Sequence, residues 1–326
     1  MELIVTLDNP MPADAVAGTI RAADGVSLRV ARWHPVRMPV GTLVIASGRS
    51  EFIEKYFETI GEALQRGFAV VAFDWRGQGL SDRELSNRTK GHVDDFSLYE
   101  RDLEALIAQV VEPFCPKPWF ALGHSMGAAI LLDQAREGRS PFARLVLTAP
   151  MIDFNGLRFP RLARGLALLL DSAGLGGAFV PGGGGRTIVA KPFEGNPLTS
   201  DAARFARVRA ILDAEPRLAI GDPTIGWVHA AFRLMAKFTD PEFPRRVMVP
   251  TLVLSASSDH VVDALATERF ASRLKAGRMI PLGQSRHEIL LERDSIRAQF
   301  WAAFDAFLPG TAGEEEALLT RYGRAS

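Results

Sequence analysis

Cysteine is almost missing from this chain of 326 residues, where Cys115 stands alone. That excludes an intrachain disulfide framework and a cysteine-cluster metal site. Cys115 lies between Pro113 and Pro116, away from any histidine motif, so a thiol nucleophile is not expected. Net charge is missing too. The 38 Lys and Arg residues balance 38 Asp and Glu, which leaves no overall field to draw a nucleic acid or another polyanion. Long apolar runs are the third absence. The first eight residues lack the basic segment and long apolar stretch of a secretion leader. The most apolar later stretch, residues 162–180, is broken by Arg164, Asp171 and several glycines, short of a membrane span. No internal repeat is visible. The expectation is a cytoplasmic globular protein, with peripheral contact at the inner face of a membrane left open and the oligomeric state not legible.

What is present is a succession of short apolar runs. Residues 19–33 alternate apolar and polar positions around Asp24-Gly25, which predicts a β-hairpin with one solvated face. Runs at 41–46, 68–73, 119–124 and 144–149 are almost wholly apolar, as in strands covered on both faces. Helical patterns at 52–66 and 99–111 separate them. Strand, helix, strand, helix predicts a mostly parallel sheet flanked by helices. From 150 to about 244 the pattern changes to helix-like pieces at 161–170, 202–215 and 224–238, joined by Pro- and Gly-rich turns. Strand patterns resume at 249–255 and 277–282, and a closing helix is expected at about 293–308. The predicted organisation is therefore an α/β core (1–150 and 245–310), a helical cap (151–244) and a short polar tail (311–326).

The chemistry centres on Gly123-His124-Ser125-Met126-Gly127. It follows a strand pattern and opens a helix of small residues. A very tight turn there lifts Ser125 clear of the sheet at a helix N-terminus, and a Cβ at Gly123 or Gly127 would collide with neighbouring backbone. The plainer alternative for the pentapeptide is an ordinary turn with a serine cap.

A serine hydroxyl needs a general base. Of six histidines, His287 is the best placed, on the loop after the last predicted strand. In a parallel sheet that loop shares a rim with Ser125. Asp259, after the penultimate strand, is the candidate acid that would fix the imidazole tautomer. Asp153 is a rarer alternative position, Asp263 a near neighbour, and His260 adjoins the acid. The order Ser125, Asp259, His287 is that of a strand-elbow hydrolase. The oxyanion would be held by backbone N–H groups of Met126 and, from the loop after the 41–46 run, Arg49. No metal or organic cofactor is required.

These residues resemble those of α/β-hydrolases of the serine aminopeptidase and monoacylglycerol lipase type, and more narrowly of the bacterial lysophospholipase L2 group. The likeness is carried by Ser47-Gly48-Arg49-Ser50-Glu51 with Lys55-Tyr56, by Asp74-Trp75-Arg76-Gly77-Gln78-Gly79-Leu80-Ser81 and by Gly91-His92-Val93. To these are added the elbow, Asp259-His260 and His287-Glu288-Ile289-Leu290, so the likeness spans about residues 40–295. It implies an α/β-hydrolase fold with Ser125, Asp259 and His287 as nucleophile, acid and base. Asp74 and Arg76 would lock a loop rather than react. One departure stands out: monoacylglycerol-lipase relatives place His-Gly where this chain has Ser47-Gly48.

Cap residues such as Leu162, Leu166, Leu169 and Phe179 would line an acyl tunnel, rest on a lipid surface or simply dock the cap. The leading expectation is an esterase acting on a single-chain glycerolipid, a lysophospholipid or monoacylglycerol. Two others stand beside it. An aminopeptidase or general carboxylesterase would use the same three side chains, and a binding or sensor protein would use none.

Overall fold

The chain was analysed as a computed structural model that describes residues 2–309; the tail expected at 311–326 lies outside the described residues. The apolar runs form the strands β1 (Val16–Arg21), β2 (Ser27–Trp33), β3 (Gly41–Ala46), β4 (Phe68–Phe73), β5 (Trp119–His124), β6 (Arg144–Thr148), β7 (Thr251–Ala256) and β8 (Gly277–Leu282). They make one sheet in the order β1-β2-β4-β3-β5-β6-β7-β8, antiparallel at β1/β2 and β2/β4 and parallel elsewhere. Strands β3, β4, β5 and β7 are buried along their whole length. That is why their sequences read as unbroken apolar runs rather than alternations.

The main helices are α1 (Phe57–Gln65), α2 (Ser97–Leu106), α3 (Met126–Arg136), α4 (Pro160–Leu170), α5 (Ala202–Ala214), α6 (Ile225–Phe238), α7 (Ala264–Ala271) and α8 (Asp294–Phe307). Helices α1, α3, α7 and α8 pack on the sheet. Phe68 of β4 meets both Phe120 of β5 and Phe304 of α8 edge to face, which ties the strands to the last helix. Helices α4, α5 and α6 all fall between β6 and β7.

Two expectations need correction. The 19–33 hairpin exists, but β2 has no exposed position, because chain from the segments after β3 and β4 packs over the face that carries Arg29. Its polar position Arg29 is fully buried and pairs with Glu54 and Asp74, each at 2.7 Å. A buried guanidinium is tolerable only with such partners. The helical patterns at 52–66 and 99–111 are also less regular than expected. The first opens with a 3₁₀ turn, Ile53–Tyr56, and the second ends in a π turn, Ile107–Val111.

The chain adds β4 on one side of β3 and then crosses to the other side for β5. The loops leaving β3 and β5 therefore diverge at a topological switch point, where open α/β sheets form their ligand crevice. Pairing of Ala46 with Gly123 brings those two loops side by side.

Candidate active site

Between β5 and α3 the chain turns within one residue. Ser125 has φ 50° and ψ −111°, a conformation that costs on the order of 1–3 kcal/mol for a residue with a Cβ. Three backbone hydrogen bonds hold it: Ser125 N–H donates to Thr148 O, and Ser125 O accepts from Ala129 and Met151 N–H. The two glycines earn their place by contact. A Cβ on Gly127 would lie 2.2 Å from Ala46 O, and one on Gly123 would lie 2.8 Å from Ala128 Cα. The turn thus exists only because β3 and α3 can approach it this closely.

Loops after β7 and β8 reach the same rim. His287 Nε2 lies 3.0 Å from Ser125 Oγ, and His287 Nδ1 lies 2.8 Å from Asp259 Oδ2. The other carboxylate oxygen of Asp259 accepts the N–H groups of Val261 at 2.7 Å and Val262 at 3.0 Å. Burial alone would raise the Asp259 carboxyl. The His287 ring and the two N–H groups outweigh it and hold Asp259 below the ordinary carboxylate range. An ionised Asp259 fixes the hydrogen of His287 on Nδ1, which leaves Nε2 free to accept from the Ser125 hydroxyl.

The structure thus brings Ser125, Asp259 and His287 into one hydrogen-bonded line. The other acidic and histidine candidates are elsewhere. Asp263 caps α7 through Ala266 N–H, and Asp153 accepts its neighbour Phe154 N–H and faces Arg164 at 3.6 Å. His260 is exposed. His229 bonds Asp171, His92 bonds Thr224 and Asp94, and His34 contacts Arg32. Asp74 is fully buried and accepts N–H groups of Ile53 and Leu80, while Arg76 bonds Asp102 and Asp24. Both hold loops together, and neither lines the cavity described below.

The N–H groups of Met126 and Arg49 have no acceptor among the described residues, whereas those of Ser125, Gly48 and Ser50 do. Gly48 N–H donates to Glu51 Oε2 and Ser50 N–H to Gln78 Oε1; Gln78 Nε2 and Trp75 Nε1 donate to the carbonyls of Gly48 and Ser47. The loop after β3 is thus pinned on both sides of Arg49, without the histidine of the His-Gly variant.

Sequence reasoning missed the network behind this loop. Glu51 also accepts from Tyr56 Oη at 2.6 Å and pairs with Lys55 at 2.8 Å, and Lys55 reaches Glu288 at 2.6 Å. All four side chains are buried. Burial opposes ionisation of Glu51, but Lys55 and His124 hold it well below the ordinary range, whereas burial raises Glu288. Glu51 is therefore the ionised partner of Lys55. His124, whose ring packs 4.8 Å from that of His287, is pushed down to about 4 by burial and is neutral. The family likeness had already marked Glu51, Lys55, Tyr56 and Glu288, and the i, i+4 spacing of Glu51 and Lys55 was the local signal of their pairing.

Ser125 and His287 open into a cavity of about 490 Å³, a size typical of small-molecule sites. Its walls are largely apolar and come mostly from the β6–β7 insertion, including Leu166, Leu170, Val189, Val208 and Phe232. Charged side chains on the wall are Arg49, Glu51, Lys55 and Glu288. No helix among the described residues is long and apolar enough to cross a membrane.

The family described as serine aminopeptidase, S33 matches residues 37–294 of this chain. Lysophospholipase L2 of Escherichia coli (strain K12) is 33% identical over 274 residues, covering 78% of this chain and 76% of that protein. The probable lysophospholipase L2 of Haemophilus influenzae is 27% identical over 266 residues, covering 82% and 83%. Among solved structures, a soluble variant of monoglyceride lipase from Saccharomyces cerevisiae superposes with a TM-score of 0.68 at 19% identity, covering 90% of this chain and 95% of that one.

Proposed function

The chain belongs to the serine aminopeptidase S33 family of α/β-hydrolases, and from that premise we propose that it cleaves the carboxylic ester of a single-chain glycerolipid. Ser125 Oγ attacks the ester carbonyl while His287 Nε2 takes its proton. Asp259 keeps the imidazole oriented and stabilises its charged form. The N–H groups of Arg49 and Met126 receive the oxyanion, a contribution of about 3 kcal/mol to the barrier for each donor. His287 then protonates the departing glycerol oxygen, leaving an acyl-Ser125 ester. Water, activated by the same imidazole, releases the fatty acid.

The observation that carries this reading is the union of a bonded Ser125–His287 pair with an apolar cavity of about 490 Å³. Such a wall suits one acyl chain. Names of the relatives point the same way, to lysophospholipids first and monoacylglycerols second. The residues 151–244 act in this reading as a cap over the site. Exposed Phe159, Leu162, Leu168 and Leu169 give the cap an apolar outer face suited to a lipid surface.

An aminopeptidase would need a free carboxylate for the substrate's α-amino group. The acids on the cavity wall, Glu51 and Glu288, are both bonded to Lys55, which favours the esterase. The test is turnover of lysophospholipids, monoacylglycerols, short p-nitrophenyl esters and aminoacyl amides by the protein and by Ser125→Ala. Ester turnover with a preference for long single chains, lost in the variant, is expected. Turnover of aminoacyl amides alone would overturn the reading.

A further inference from the structure

Arg49 was singled out for its backbone, but its side chain has no evident duty in moving protons. It lines the cavity. Its Nη2 donates to Gly221 O at 3.0 Å and its Nη1 to Ser50 Oγ at 3.1 Å, both neutral acceptors. The Nε–H is shut off from solvent and has no acceptor. No carboxylate lies within 4.0 Å of the guanidinium among the described residues. The acid that acts on it from further off, Asp222, is itself exposed and accepts Gly184 N–H. Tyr99 is raised by burial and stays neutral, so it is no counter-ion. Trp227 offers its ring face, with the guanidinium carbon 5.1 Å from the centroid, which orients the fork without neutralising it.

The other cation on the cavity wall is spoken for. Lys55 is clasped by Glu51 and Glu288. Burial pushes Arg49 down to about 10, which still leaves it charged at neutral pH. An apolar cavity therefore holds one guanidinium whose charge the protein does not answer, and burying an unanswered charge is unfavourable unless an anion arrives with the ligand. Each Nη of Arg49 carries two N–H groups and spends one, on Ser50 Oγ or Gly221 O, so the fork keeps an N–H on each nitrogen that suits a phosphate.

We propose that the Arg49 guanidinium receives the phosphate of the substrate's head group and makes the site selective for a phosphodiester-bearing single-chain lipid over a neutral monoacylglycerol. This rests on the esterase reading above and deepens it. Location supports it. The backbone N–H of the same residue faces the scissile carbonyl in that reading, and an arginine side chain has a reach similar to the glycerol that separates an ester carbonyl from phosphorus. One residue would then hold both ends of the glycerol unit, the oxyanion through its main chain and the phosphate through its side chain.

The test compares kcat/KM for a lysophosphatidyl ester and a monoacylglycerol of the same acyl chain, in the protein, Arg49→Met and Arg49→Lys. Losing a charge-assisted contact predicts that Arg49→Met loses about tenfold to hundredfold more on the phosphodiester than on the neutral ester, mainly in KM. Arg49→Lys should recover part of the preference. A merely structural arginine would depress both substrates alike, and that result would overturn the proposal. A second arm needs no turnover: calorimetric binding of octyl phosphate and of octylglycerol ether to Ser125→Ala and to Ser125→Ala with Arg49→Met. Preferential binding of octyl phosphate, abolished in the double variant, is expected. Equal binding of both compounds by both proteins would overturn the proposal. If no ester is hydrolysed at all, the esterase reading falls while the binding arm still decides the role of Arg49.

Discussion

Two regions of this molecule treat their side chains in opposite ways. At the rim of the sheet most backbone and carboxylate groups are tied down, and the unanswered side-chain atoms there, among the described residues, are Ser47 Oγ and Arg49 Nε. The loop after β3 is tied down by Glu51, Trp75 and Gln78, and Asp259 is bonded through both oxygens. Around α4 the balance reverses. Ala163, Leu166, Ala167 and Leu170 turn to the cavity, while Leu162 and Leu169 remain 68% and 65% exposed. Leu162, Leu168 and Leu169 stay exposed beside the stripe that this helix turns to the cavity, with Arg161 and Arg164 also on the helix. That is more exposed apolar surface than docking on a core requires. The rest of the insertion is stapled to the core: Arg204 of α5 bonds Glu58 and Asp294, and Ser200 bonds Glu292. On the proposed function, the contrast gives rigidity and chemistry to the rim and lipid contact to α4.

Substitutions can break or sharpen this contrast. The largest effect is expected from Ser125→Ala, a drop in ester turnover of about 10⁴-fold or more with the melting temperature nearly kept. Next is Glu51→Ala, which removes the acceptor of Gly48 N–H and loosens the loop that aims Arg49 N–H. A loss of about 10²-fold in kcat on a short p-nitrophenyl ester is expected. A value within threefold of the parent in folded protein would deny the loop its role.

The third effect is on stability. His124 is held at about 4 in the fold against an ordinary value of 6.5, chiefly by burial. Between those values the unfolded chain binds the extra proton, so stability is full above the ordinary value and declines as pH falls toward 4. The loss approaches about 3 kcal/mol at its limit. Denaturant melts at pH 7 and pH 4.5 should show His124→Asn less acid-sensitive than the parent; identical pH profiles would remove His124 from the account. The smallest effect lies on α4. Leu162→Ser with Leu169→Ser should weaken partition onto anionic lipid vesicles by about tenfold more than it changes turnover of a soluble short ester. Equal losses in the two assays would mean that these leucines serve folding rather than lipid contact.

How far the sequence revealed all this depends on how local each cause is. Strands buried on both faces announce themselves as apolar runs, and the elbow by two glycines that β3 and α3 require. Asp259 and His287 were readable because chain order and parallel topology send both to one rim. Arg29 was not, because its burial depends on β2 being roofed by chain far away in sequence. The Glu51–Lys55–Glu288 network was hidden for the same reason, since Lys55 and Glu288 meet only when the sheet closes. The side chain of Arg49 was passed over because its meaning lies in partners it lacks, and a sequence shows no absences in space.

The most direct measurement is mass spectrometry of the folded protein after brief exposure to a fluorophosphonate, with and without His287→Ala. The account predicts one adduct, on the peptide carrying Ser125, formed at least 10³-fold more slowly in the variant. Labelling of another serine, or equal labelling of Ser125 without the imidazole, would contradict it.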